Sequence, residues 1–134
     1  MHVSLPSIGV DLVSVSRIAR LHARFGQRFL DRAFHFKEVA IATTLPPPRA
    51  ATYLAARWAA KEALHKTLGS THRLLFPEIE VANNPRSGAP TFILHGAARA
   101  WASREGFAAT VSLSHEDAYA IAFVIAAREK EKSC

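Results

Sequence analysis

The stretch Trp58-Ala59-Ala60-Lys61-Glu62-Ala63-Leu64-His65-Lys66 gathers one acid and three groups able to carry positive charge on an alanine-rich, helical segment. On a helix, residues three or four apart share a face. Trp58, Glu62 and Lys66 therefore line up, with Lys61 and His65 beside them. Small alanines let other backbones come close, which points to a buried rod. A buried acid and buried lysines are costly unless paired or bound to something charged. That combination suits a metal ion and phosphates. A Glu followed by Lys four residues later is also a common stabilising pair on an exposed helix, worth about 0.2–0.5 kcal/mol. The neighbours Trp58, Ala63 and Leu64 favour a buried or cavity-lining helix instead.

Asp11 is the second acid of interest. It interrupts the apolar run Ile8-Gly9-Val10 and Leu12-Val13. An aspartate just before a helix is most often a cap or turn residue. Here Ser14 is available as the cap, and Gly9 permits close backbone approach. Both facts shift weight toward a functional acid. A third group, Ser112-Leu113-Ser114-His115, closes a strand pattern. Its histidine reads as a turn residue, a general acid or base, or a phosphate contact. A hydrolase triad is discounted because no Gly-x-Ser-x-Gly elbow occurs. The Gly-rich phosphate loop, the dinucleotide fingerprint and the paired-His zinc motif are absent too. Phosphate handling must then come from Lys, Arg, His and a metal.

These groups need elements to hold them. Ile8–Val13 reads as a short strand, and Ser14 caps the helix that follows. On that helix Ile18, Leu21 and Phe25 keep core spacing. Arg17, Arg20, Arg24 and Arg28 form a second stripe, with Gly26 before Arg28 able to end the helix. Phe29–Thr44 is helical in pieces, with Phe34, Phe36, Val39 and Ile41 supplying apolar contacts. Pro46-Pro47-Pro48 stops it. A long helix follows from near Arg49 to Leu68, with Gly69 as its stop. Glu78–Ala82 and Thr91–Leu94 read as strands around a turn cluster at 83–90. Ala97–Arg104 is a short helix. Ala109–Ser114 and Tyr119–Ala126 are two further strands joined by a hairpin turn at 115–118. The charge-alternating end, Arg128–Lys132, reads as solvated.

With 134 residues and 49% apolar content, the chain is expected to form one domain over 1–134 around one core. The class is α+β, an antiparallel sheet packed against a long central helix. A net charge of +6 favours acidic or phosphorylated partners without saying which. Aromatic residues make up only 9% and are not interleaved with the basic ones. That argues against the rival reading, a basic nucleic-acid-binding module without catalysis. The single cysteine, Cys134, rules out an intramolecular disulfide and argues against a Cys-based zinc site. With no secretory signal and no apolar run of about 18 residues, a cytoplasmic protein off the membrane is expected.

Three blocks taken together resemble one family. They are Ile8-Gly9-Val10-Asp11-Leu12-Val13 running into Arg17-Ile18, then Arg57 through Lys66, then Ser112-Leu113-Ser114-His115 followed by Tyr119-Ala120. Their order and gaps are similar to the small, holo-acyl-carrier-protein synthase type of 4′-phosphopantetheinyl transferase. The likeness runs from about Ile8 to Ala127 and implies the 4′-phosphopantetheinyl transferase fold. It implies that coenzyme A donates its 4′-phosphopantetheine arm to a serine of apo-acyl-carrier protein, releasing adenosine 3′,5′-bisphosphate. Magnesium is the implied ion, held by Asp11 and Glu62, with Lys66 completing the catalytic set. Arg57, Lys61, Lys66, Arg86 and His115 are the implied contacts to phosphate or nucleotide. The acceptor of the serine proton stays open. A homotrimer assembled through the sheet is implied, with active sites between neighbouring subunits. Arg17, Arg20 and Arg24 then have an acidic carrier protein to dock. Carriers of fatty-acid and of polyketide synthesis both fit.

The chain departs from the family pattern in places. Larger relatives carry a second acid two residues after the aspartate, where this chain has Val13. Ala33-Phe34-His35-Phe36-Lys37-Glu38 stands where a helix-capping threonine is usual, which leaves that helix start in question. Gly88-Ala89-Pro90 replaces a usual Gly-Lys-Pro, so a lysine contact is lost there or supplied by Arg86.

Overall fold

The computed structural model of the chain describes residues 5–69 and 72–129. Cys134 and the charged end beyond Glu129 lie outside the described residues. The strands are β1 (Ser7–Ser14), β2 (Ile79–Asn83), β3 (Pro90–Leu94), β4 (Phe107–His115) and β5 (Tyr119–Arg128). The helices are α1 (Val15–Phe25), α2 (Gln27–Ala33), α3 (Phe36–Thr43), α4 (Pro47–Leu68) and α5 (Gly96–Glu105), with a short 3-10 turn at Phe76–Glu78. The strands divide into a three-stranded sheet, β1-β5-β4, and a two-stranded one, β2-β3, antiparallel throughout. No helix among the described residues is long and apolar enough to cross a membrane.

Helix α4 is the axis of the molecule. Pro47 and Pro48 stand in its first turn, where a missing N–H costs nothing. Gly69, at φ 65°, ends it. Ala55, Ala56, Ala59, Ala60 and Ala63 are all buried. The sheet meets this alanine surface with small residues of its own: Ala120, Ala122 and Ala126 on β5, and Gly9 on β1. A Cβ added to Gly9 would run into the carbonyl oxygen of Ala63. Strand and helix backbones therefore touch directly at Gly9, two residues from Asp11.

The other face of β1 and β5 is also apolar, and it is exposed. Ile8, Val10 and Leu12 stand opposite Ile125, Phe123 and Ile121 in the strand register. Simple apolar-in, polar-out alternation does not hold here. Both faces carry the composition of a strand that is covered on each side.

Ser14 caps α1, accepting the Arg17 N–H at 3.3 Å. The start of α3 is capped without threonine. His35 Nδ1 accepts the Lys37 N–H at 3.2 Å, and Glu38 Oε1 accepts the His35 N–H at 2.8 Å. This is the reciprocal logic of a capping box with an imidazole in place of a hydroxyl. Two expected core contacts are not made. Phe36 is 71% exposed and Ile41 48%, because α3 is short and only Glu38 and Ala42 on it are buried. Phe25, expected in the core, lines an open cavity beside Phe29 instead.

Lys61 also corrects an expectation. The sequence places it among the phosphate contacts, yet its side chain is fully buried. Its ammonium donates to Glu38 Oε1 at 2.5 Å and to the carbonyls of Ala33 and Phe76, each at 3.0 Å. All three protons are used, so none is left for a ligand. Glu38 in turn accepts the Val81 N–H at 2.9 Å. One ion pair thus ties α2, α3, α4, the 3-10 turn and β2 together. Burial pulls the Lys61 pKa down to about 8, against the opposing pull of Glu38.

Two outcomes follow for stability. Gly9→Ala is expected to cost about 1–3 kcal/mol, as overpacking of a tight contact does. Urea unfolding measures it, and an unchanged midpoint would show that the strand and helix can part freely. Removing one partner of the buried pair, by Lys61→Met or Glu38→Gln, is expected to cost about 3–5 kcal/mol. The double variant should lose less than the sum of the two. Additive losses in that cycle would mean the two side chains are not coupled.

Candidate active site

The pleat of β1 sends Gly9, Asp11 and Val13 toward α4. Val13 is buried in the core, so an acid there would have no water or partner. Asp11 lies at the rim, its side chain 17% exposed. Lys66, in the last turn of α4, reaches across to it. Its ammonium donates to Asp11 Oδ1 at 3.1 Å and to the Val10 carbonyl at 2.8 Å. This pair is half open to water and adds little to stability.

Glu62 sits one helical turn before Lys66 and is partly buried. Burial pushes its pKa up, and the charge of Asp11 pushes it further in the same direction. Arg73, Lys66 and Arg17 pull it down. The two carboxylates therefore feel each other's field, with cations gathered around them. Two acids in mutual repulsion, offering only oxygen, form the donor set a hard divalent cation prefers.

Glu62 also lines a cavity of about 580 Å³. Its walls are apolar and aromatic, from Leu21, Phe25, Phe29, Trp58 and Phe76, while Arg17, Arg28, Arg32 and Arg73 supply positive charge. Trp58 is wedged between Phe29 and Phe76, with ring centroids at 5.8 and 5.3 Å. Arg20 and Arg24 continue the exposed cationic face of α1. Arg24 lies over the Phe25 ring at 5.1 Å, and Arg20 donates to Ser16 Oγ at 3.3 Å.

Arg57 and His115 meet elsewhere. They line a second groove, of about 570 Å³, with Arg49 and Tyr53. Arg57 is buried along its length, stacks on the Tyr53 ring at 4.0 Å and donates to Asn83 Oδ1 at 2.9 Å. Its Nε has no partner among the described residues. Arg86 belongs to neither cavity. It is exposed on the β2–β3 turn, where Asn84 Oδ1 accepts its backbone N–H at 2.8 Å. Lys61 points into the core, held by Glu38, while Glu62 lies at the cavity.

The structure thus brings Asp11, Glu62, Lys66 and Arg17 together and sets Arg57 and His115 apart from them. It adds cations that sequence patterning passed over. Arg73 follows the end of α4 in an irregular segment, Arg32 sits on a two-turn helix, and Arg49 opens α4 among prolines. None has a periodic neighbourhood to mark it.

The chain is similar to known proteins over most of its length. Residues 7–124 match the model of the 4′-phosphopantetheinyl transferase superfamily. The holo-[acyl-carrier-protein] synthase of Alkalilimnicola ehrlichii is 41% identical over 121 residues, covering 88% of this chain and 93% of that protein. Among solved structures, the holo-[acyl-carrier-protein] synthase of Neisseria meningitidis superposes with a TM-score of 0.79 at 34% identity, covering 92% of this chain and 98% of the other. That of Bacillus anthracis, solved in complex with CoA (3′,5′-ADP), gives 0.75 at 26% identity, covering 95% and 100%. With residues 7–124 matched by the family model and most of its length shared with a relative at 41% identity, the chain belongs to the 4′-phosphopantetheinyl transferase superfamily.

Proposed function

We propose that this enzyme transfers 4′-phosphopantetheine from coenzyme A to a serine of apo-acyl-carrier protein, the reaction of a holo-[acyl-carrier-protein] synthase. The observation that carries this reading is the convergence of Asp11, Glu62 and Lys66 where β1 crosses the last turns of α4. The serine hydroxyl attacks the β-phosphorus of coenzyme A. The phosphoanhydride bond breaks, and adenosine 3′,5′-bisphosphate leaves.

The acidic pair fits magnesium: two carboxylates offer only oxygen, burial and then the charge of Asp11 raise the pKa of Glu62, and Lys66 is a displaceable counter-charge. Asp11 and Glu62 would hold the ion. When bound, it supplies positive charge against the diphosphate, which lowers the barrier to the leaving group's departure. Lys66 adds a second cation at the same place and can turn from Asp11 toward phosphate. The raised basicity of Glu62 suits it to receive the serine proton. Arg57, Arg49 and His115 offer anion contacts for the nucleotide end, and Arg86, outside that groove on the β2–β3 turn, is a further cation.

Arg57 and His115 line a different cavity from Glu62 within one chain. A complete site then draws on two subunits. The exposed face formed by Ile8, Val10, Leu12, Ile121, Phe123 and Ile125 is a contiguous apolar surface suited to hold them together. A homotrimer is the assembly that the family resemblance implies. Arg17, Arg20 and Arg24 are exposed on α1, where they can receive an acidic carrier protein.

Mass spectrometry of an apo-carrier incubated with coenzyme A and magnesium tests the reaction. A gain of about 340 Da on a serine is expected. Asp11→Ala and Glu62→Ala should each slow transfer about a thousandfold, equivalent to about 4 kcal/mol of transition-state stabilisation, with the melting temperature preserved. Near-normal transfer by either variant at saturating magnesium would remove the carboxylates from the site. Charge reversal at Arg17 or Arg24 to Glu should raise the KM for the carrier about tenfold or more, far more than the KM for coenzyme A, a cost of about 1.4 kcal/mol in docking. Equal effects on both substrates would place those arginines in the nucleotide site instead.

A further inference from the structure

We propose that His35, Glu80 and His95 form a second metal site, for a borderline divalent ion of the Zn2+ class, separate from the carboxylate pair. The three residues come from three segments: the cap of α3, strand β2, and the junction of β3 with α5. One potential ligand atom of each lies within 4.8 Å of the other two. His35 and Glu80 are buried, 7% and 6% exposed, while the His95 side chain is 34% exposed and leaves an entry path.

The chemistry of the donors selects the ion. Two imidazoles and one carboxylate suit Zn2+ or Co2+, with a fourth position for water. Magnesium and calcium prefer oxygen and would stay with Asp11 and Glu62. Glu80 has no Lys or Arg in an ion pair with it among the described residues; His95 Nε2 lies 2.9 Å from its Oε1, and Lys61 acts on it only from beyond ion-pair distance. A carboxylate so placed gains from a bound cation.

The rings are poised but not yet arranged for coordination. His35 and His95 stack, with centroids 4.2 Å apart and planes within 15° of parallel. Parallel rings cannot both aim an in-plane lone pair at one ion. His95, the more exposed, must turn. His35 Nδ1 accepts the Lys37 N–H, so its own proton sits on Nε2. Coordination through Nε2 requires that proton to move to Nδ1, and the bond to Lys37 is then given up. Binding therefore reaches the cap of α3, the helix that carries Glu38.

The test uses the full chain in saturating Mg2+, so that the oxygen site is occupied. Zn2+ titrated by calorimetry should bind one ion per chain and raise the melting temperature. Co2+ should give the visible absorption of a nitrogen-ligated, four-coordinate ion that Zn2+ abolishes. Glu80→Gln, which preserves shape, and His95→Ala should each weaken binding at least tenfold, while Asp11→Ala should not. In 15N spectra of the rings, His35 should pass from the Nε2–H to the Nδ1–H tautomer on loading. Binding that survives both Glu80→Gln and His95→Ala, that Mg2+ displaces, or that leaves the His35 tautomer unchanged would overturn the assignment. So would the absence of Zn2+ binding to the wild-type chain.

Discussion

The contact between Gly9 and Ala63 sets the geometry on which the acidic site depends. Nothing larger than hydrogen fits on β1 at that point. The strand therefore lies against the backbone of α4 rather than against its side chains. Two residues further along the same face of β1 comes Asp11. On the helix, the residue before Ala63 is Glu62, and Lys66 follows one turn after Glu62. A wider spacing would leave Lys66 unable to reach both Asp11 and the Val10 carbonyl, as it does at 3.1 and 2.8 Å. Alanines on α4 and β5 extend the same close packing across the sheet. Small residues, which contribute little area to a core, here serve to hold two acids at a fixed offset.

Lys61 and Glu62 are neighbours with opposite tasks. One residue along a helix turns the side chain by about 100°. That angle is enough to carry Lys61 into the core and leave Glu62 at the cavity. The buried ammonium is held by a carboxylate and two carbonyls from separate segments, so it fixes the rotation of α4 about its axis. The rotation in turn decides which way Glu62 points. A buried ion pair is weak as a source of net stability. Its three directed bonds are far more selective than apolar packing among alanines, which would tolerate slippage.

Much of this was legible in the residue pattern, for identifiable reasons. The strand at Ile8–Val13, the cap at Ser14, the long helix and its stop at Gly69 all follow from local chemistry, and each is found close to its expected bounds. Asp11 stood out because a charge inside an apolar strand is conspicuous. The fate of Lys61 was not legible, because its partner Glu38 lies 23 residues away on another helix. Local spacing made Lys61 look like a companion of Glu62. The capping role of His35 was hidden for a related reason: imidazole is a rare cap, and only the backbone angle at the helix start reveals it. Phe36 and Ile41 were misplaced because hydrophobicity alone does not say which face of a two-turn helix is covered.

One feature of the fold bears directly on how catalysis is assembled. The chain spends Ile8, Val10, Leu12, Ile121, Phe123 and Ile125 on an exposed sheet face. For an isolated molecule these side chains would invite aggregation. Set beside the division of anion-binding groups between two cavities, they acquire a use. In the homotrimer proposed above, association through this face would bury the apolar surface and would let the Arg57–His115 groove of one subunit complete the acidic site of another. The same β1 strand then does both jobs, presenting Asp11 on its inner face and apolar side chains on its outer one. Assembly and the acidic site would be coupled through a single strand, so that a disturbance of the outer face is felt at the carboxylates two residues away.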